Sequence, residues 1–76
     1  MKVYMVWTAG ITCLDADIFT NRKAALSCAD FYAHEGECSL RTSRKTVEKF
    51  GDDILTTWET EWDTIYMRET KTDTFR

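Results

Sequence analysis

The sequence has no proline, three glycines and a single histidine in 76 residues. Without proline there is no obligatory kink and no slow X-Pro isomerisation, and no ladder N–H is missing. Cysteine occurs three times, at Cys13, Cys28 and Cys38. The odd count and wide spacing exclude a paired disulfide framework and match no zinc finger or ribbon. No apolar run is long enough to span a bilayer, nothing resembles a signal peptide, and no glycine-rich phosphate loop is present. These absences exclude a membrane partner by insertion, and the expected setting is a reducing cytoplasm with no cofactor.

What is present is a globular composition, 43% hydrophobic and 13% aromatic, with no long polar tract that would favour disorder. A chain this short is one domain, residues 1–76, and buries only about 60% of the surface its unfolded form exposes. The twelve threonines suit strands, because β-branched side chains fit a pleated surface. A net charge of −3 argues against wholesale coating of nucleic acid.

One stretch, Ile18 to Glu35, organises the rest. Thr20 or Asn21 can cap a helix, with Phe19 placed to staple onto Ala24 and Gly36 placed to end it in a left-handed conformation. At about 100° per residue, Ala24, Ala25, Leu26, Cys28, Ala29, Phe31, Tyr32 and Ala33 fill a broad apolar arc. Lys23, Ser27, Asp30 and His34 form the polar stripe. The helix is therefore expected to bury most of its circumference against a sheet, with small residues at the centre of the contact.

Before it, Lys2 to Thr8 reads as a strand with both faces partly apolar, followed by a turn at Ala9 and Gly10. A half-solvated return strand follows, with Thr12, Leu14, Ala16 and Ile18 inward and Cys13, Asp15 and Asp17 outward. After it, Cys38 to Ser43 alternates like a short third strand. Arg44 to Phe50 reads either as a strand or irregular extension turning at Gly51 and Asp52, or as a short helix capped by Ser43. The threonine content favours a hairpin of Ile54 to Thr60 and Thr64 to Thr70 over a helical stripe of Ile54, Leu55, Trp58 and Trp62. Lys71 to Arg76 reads as a frayed tail. The expected fold class is α+β: a mainly antiparallel sheet of four or five strands in β-β-α-β-β-β order, one helix on one face.

Little here supports an enzyme. Cys28, His34, Cys13 and Cys38 could in principle ligate zinc, but Cys28 falls in the apolar arc, where cysteine behaves as a small hydrophobe. A Cys–His nucleophile needs an exposed, electropositive thiol. Asp15 and Asp17 share a strand face, an arrangement that more commonly supplies solubilising charge than acid-base chemistry. No catalytic, metal or cofactor residue is assigned.

Charge is more informative. Arg41, Arg44, Lys45 and Lys49 stand against Glu48 alone, whereas Phe50 to Met67 carries Asp52, Asp53, Glu59, Glu61 and Asp63 with no lysine or arginine. On an extended strand Trp58, Thr60 and Trp62 would face one way and Glu59, Glu61 and Asp63 the other. Both tryptophans would then be core, unless one is exposed beside the carboxylates as an interface anchor. Trp58, Glu59, Glu61, Trp62 and Asp63 are the candidate partner-binding residues, and Arg41, Arg44, Lys45 and Lys49 the alternative phosphate contacts.

The organisation over roughly residues 2 to 70 resembles that of small phage-encoded inhibitors, including anti-CRISPR proteins and inhibitors of host RNA polymerase. It comprises a hairpin, a strand entering an alanine-rich helix through F-T-N-R-K-A-A, and closing strands with tryptophan and acids. The resemblance implies a non-enzymatic protein, monomer or homodimer, that blocks a host protein or nucleoprotein complex by contact, and it carries over no residue roles. The alternative is a small nucleic-acid-binding or transcription-modulating domain.

Overall fold

The computed structural model describes residues 2–10 and 16–71. Five strands, β1 (Lys2–Thr8), β2 (Asp17–Phe19), β3 (Arg44–Phe50), β4 (Asp53–Glu59) and β5 (Thr64–Lys71), form one antiparallel sheet in the order β2-β1-β5-β4-β3. The helix α1 (Arg22–Glu35) follows β2 and packs over β1, β2 and β5. This is the expected α+β architecture.

Cross-strand register fixes which residues meet the helix, because directly opposed residues share a face. Val6 lies opposite Met67, Thr8 opposite Ile65, Met67 opposite Thr56 and Ile65 opposite Trp58. Tyr4, Val6, Trp58, Ile65 and Met67 thereby form one floor, on which Ala25, Ala29 and Ala33 rest. These three alanines recur every fourth position, so one row of the helix faces the sheet and their small side chains let its axis approach closely.

The buried arc is narrower than the sequence implies. Ala24 is exposed and Phe31 is 60% exposed, set edge-on to Tyr32. With a single sheet and no further layer, only one row of the helix has anything to pack on. Asn21 is the cap, its Oδ1 accepting from the N–H groups of Lys23 (2.8 Å) and Ala24 (3.3 Å). Phe19 packs against the core, and Ala24, its expected staple partner, is exposed.

The helix end also differs. Gly36 has φ −93° and continues the last turn, while Glu37 takes the left-handed conformation at φ 59°. The N–H groups of Glu37 and Cys38 reach back to the carbonyls of His34 and Ala33, both at 2.9 Å. The glycine that does need positive φ is Gly51, at 64°. It stands first in the two-residue β3–β4 turn, as in a type II′ hairpin.

Three strand expectations are corrected. Cys38 to Ser43 is not a strand but holds a single 3-10 turn, Leu40–Thr42. Its serines and threonine bond locally: Ser39 Oγ accepts from the Arg41 N–H, and the Thr42 and Ser43 hydroxyls donate to the Ser39 carbonyl. Such side-chain bonds compete with a ladder. The third strand is Arg44–Phe50 instead. In β2 the faces are reversed, for Asp17 lies opposite Val6 on the helix side and Ile18, opposite Met5, is 67% exposed on the other. Lys71 ends β5 opposite Lys2 instead of opening a frayed tail. Residues 72–76, and Thr12, Cys13, Leu14 and Asp15, lie outside the described residues.

Candidate functional site

The β4–β5 connection positions Trp62. Thr60 Oγ1 accepts from the N–H groups of Trp62 (3.2 Å) and Asp63 (2.9 Å) and donates to the Asp63 carbonyl (2.7 Å). Asp63 Oδ1 accepts from the Thr64 N–H at 2.7 Å. The chain therefore turns after Thr60, as the expected hairpin requires, so Trp62 does not continue the alternation of the strand and the two tryptophans separate. Trp58 is 4% exposed in the core, whereas Trp62 is 75% exposed. Trp58 has almost no surface to offer a partner. Trp62 is presented on a turn held by these four side-chain hydrogen bonds and by the Thr60 N–H donating to the Asp63 carbonyl at 2.9 Å.

The end of α1 lies against this turn, since a β-carbon built on Gly36 would meet Trp62 side-chain atoms at 3.4 to 3.6 Å. Glu35, Gly36, Trp62 and Asp63 line one recess, and Glu37, Glu59 and Glu61 line the next. Two carboxylates, Glu35 at the end of the helix and Asp63 of the turn, thus share the recess of the exposed indole, and three more, Glu37 just past the helix with Glu59 and Glu61, line the adjoining one. Of the candidate residues, Glu59 and Glu61 lie in one recess and Trp62 and Asp63 in the other, with Thr60 lining both. Glu35 and Glu37 were missed; their E-G-E spelling links to the turn only once the helix direction is known.

This end is electrostatically unfavourable for folding. Carboxylates at a helix C-terminus oppose its dipole, and Glu37 adds the strain of left-handed backbone on a non-glycine residue. Breaches of local rules of this kind concentrate at functional surfaces.

The basic residues do not form one patch. Lys45 and Lys49 lie on the helix side of β3, opposite Trp58 and Ile54, while Arg44 lies on the other side opposite Glu59. Arg41, in the 3-10 turn, lines a groove of about 790 Å³ with Lys23, His34 and Lys45, and Trp58 is part of its lining. Arg44 lines the acidic recess instead.

The side of the sheet away from the helix is also partly apolar. Trp7 and Tyr66 stack there, with centroids 5.4 Å apart and planes 18° from parallel. Met5, Leu55 and the exposed Phe50 share that side, beside the Arg68–Asp53 ion pair. The sequence announced this only as apolar residues on both faces of the first strand.

Cys28 is a poor nucleophile. Its thiol donates to Asp17 Oδ2 at 3.4 Å, and burial together with this carboxylate pushes its pKa up to about 11. The Tyr32 hydroxyl donates to the same carboxylate, which holds the phenol well above its ordinary pKa. Asp17 thus joins the edge strand to the helix and is more than solubilising charge. Among the described residues no group of three or more His, Cys, Asp or Glu is placed to hold a metal ion, and no helix is long and apolar enough to cross a membrane.

Comparison with protein families, curated proteins and solved structures finds no match to this chain.

Proposed function

We propose that this chain is a non-enzymatic binding protein that occupies a basic surface of a larger partner with its acidic end, Trp62 serving as anchor. The observation that carries the reading is the exposed indole that shares a recess with Glu35 and Asp63, next to the recess lined by Glu37, Glu59 and Glu61. A tryptophan on a rigid turn loses little freedom on binding and buries a large area. Carboxylates around it steer a basic surface into contact and reject acidic ones. A basic surface of this type is what a nucleoprotein or nucleic-acid enzyme presents. The reading therefore extends to a phage-type inhibitor, of the anti-CRISPR or anti-defence kind, acting in a host cytoplasm.

The test is affinity capture from host extract with the wild-type chain, Trp62→Ala and the charge reversal Glu59→Lys with Glu61→Lys. Support is a partner held by wild type, lost with either variant while circular dichroism shows the fold intact, and released by salt. Retention of every captured partner by both variants overturns the reading.

A second reading, direct nucleic-acid contact, is favoured by the groove that places Arg41 and Lys45 beside Lys23. The position of Arg44 among acids weakens it. A gel shift that remains blank at low salt removes it.

A further inference from the structure

Among the described residues the strand β3 is an open edge. It pairs along its whole length with β4, from Arg44 opposite Glu59 to Phe50 opposite Asp53, and ends the sheet order with no described strand beyond it. All seven residues are exposed, because α1 covers β1, β2 and β5 and stops short of this side. It is regular, with no bulge in its register. Such an edge presents a row of unpaired N–H and C=O groups, a template for another extended chain. The opposite edge, β2, is three residues long, and its Asp17 carboxylate is engaged with Tyr32 and Cys28.

Charge selects what can add there. β3 carries three cations, Arg44, Lys45 and Lys49, against one anion, Glu48. Lys45 and Lys49 flank Val47 on the helix side, and Val47 is 54% exposed. Lys45, Arg41 and Lys23 share the neighbouring groove and form no salt bridge among the described residues, whereas Lys2, Arg22 and Arg68 do. A second copy adding through its own β3 would bring three cations against three, a costly pairing. A single strand with acids at alternate positions meets no such repulsion.

We infer that the β3 edge accepts an extended acidic segment of a partner protein as a sixth strand. Opposed residues share a face, so the recognised pattern is acidic, any, apolar, any, acidic: acids opposite Lys45 and Lys49 and an apolar side chain opposite Val47. Backbone hydrogen bonds supply affinity and the alternate side chains supply selection. This surface adjoins the acidic end only at Arg44 and does not depend on that end binding anything.

The probe is a capped, fluorescent peptide as long as β3 that alternates threonine with glutamate, valine and glutamate. Binding to the full chain is read by anisotropy, with amide shifts in β3 followed by NMR. Expected results are shifts confined to β3 and its neighbours, and affinity roughly tenfold or more weaker for Lys45→Glu with Lys49→Glu. N-methylating one alternate set of peptide residues should abolish binding, while methylating the other set leaves it. Equal binding by both methylated peptides overturns strand addition in favour of simple charge attraction. Three other outcomes also overturn it: no binding at low salt, self-association of the chain through β3 that the peptide cannot compete, or a single-stranded oligonucleotide binding at β3 where the peptide does not. The β3 double variant and wild type are checked for identical far-UV circular dichroism, so misfolding cannot pass for support.

Discussion

A β-carbon added to Gly36 would stand 3.4 Å from the Cβ of Trp62, an ordinary van der Waals distance. Gly36 has a backbone that alanine adopts freely, whereas its neighbour Glu37 holds the left-handed conformation that favours glycine. The helix end thus has its residues in the less stable order. Gly36→Ala is expected to stabilise by about 0.5 to 1 kcal/mol through the unfolded state, and Glu37→Gly to relieve roughly 1 kcal/mol of strain. Thermal melts of the single and double variants check this; a lowered midpoint for Gly36→Ala would show that the added methyl group is not accommodated against Trp62.

The alanine row makes a position-specific prediction. Ala29 is fully buried against the sheet and Ala24, one turn and a face away, is exposed. Ala29→Leu should cost about 1 to 3 kcal/mol by overpacking, and Ala24→Leu should change stability by no more than about 0.5 kcal/mol. Equal effects in urea titration would refute the single-row contact.

Glu69 is nearly buried and takes salt bridges from Lys2 (3.1 Å) and Arg22 (3.2 Å), both half exposed. The asymmetry of exposure sets the order of costs. Glu69→Gln leaves two solvated cations and should cost about 1 to 3 kcal/mol. Removing both cations, with Lys2→Ala and Arg22→Ala, strands a buried carboxylate and should cost more. Chemical denaturation decides, and the reverse order would mean that Glu69 is solvated.

Cys28 and Tyr32 share Asp17. Both have folded-state pKa values raised above their ordinary ones, so the contribution of Cys28 is complete below pH 9 and lost as pH rises through about 11, and that of Tyr32 is complete below pH 10 and lost only at higher pH still. Alkylation of Cys28 at pH 8 should be slow in wild type and faster in Asp17→Asn, followed site by site by mass spectrometry. Unchanged rates would assign the slowness to burial alone.

Asp53 behaves oppositely. The Arg68 guanidinium, and next the Thr70 hydroxyl, hold its carboxyl below the ordinary value of 3.8. The stability it lends is therefore present above that value and lost as pH falls through the lower folded-state pKa. The urea midpoint of Asp53→Asn should fall less steeply below pH 4 than that of wild type; parallel acid limbs would rule the ion pair out as a contributor.

The elements whose signals are local were legible. Asn21 ahead of an alanine-rich run gave the helix, and threonine content separated the β4–β5 hairpin from a helical misreading. Serine and threonine also misled, because Ser39, Thr42 and Ser43 spend their hydroxyls on one turn of backbone while spelling an alternating strand. The faces of β2 came out reversed because Asp17 finds its partners on a helix that periodicity cannot place. At the candidate site the turn half, Glu59 to Asp63, was named from composition, but the exposure of Trp62 apart from Trp58 comes from a turn that Thr60 and Asp63 close between them. Glu35 and Glu37 join it only through tertiary packing.

The pairing of β1 with β5 sets Lys2 opposite Lys71, almost the whole described chain apart. The β3-β4-β5 meander, by contrast, is closed by short local turns. Loop-closure entropy weighs on the first and hardly on the second. The meander can therefore assemble early, while α1 waits for half of its floor until β1 arrives beside β5. The rate of folding is then governed by that one distant meeting, and the chain spends its slowest interval with its core exposed.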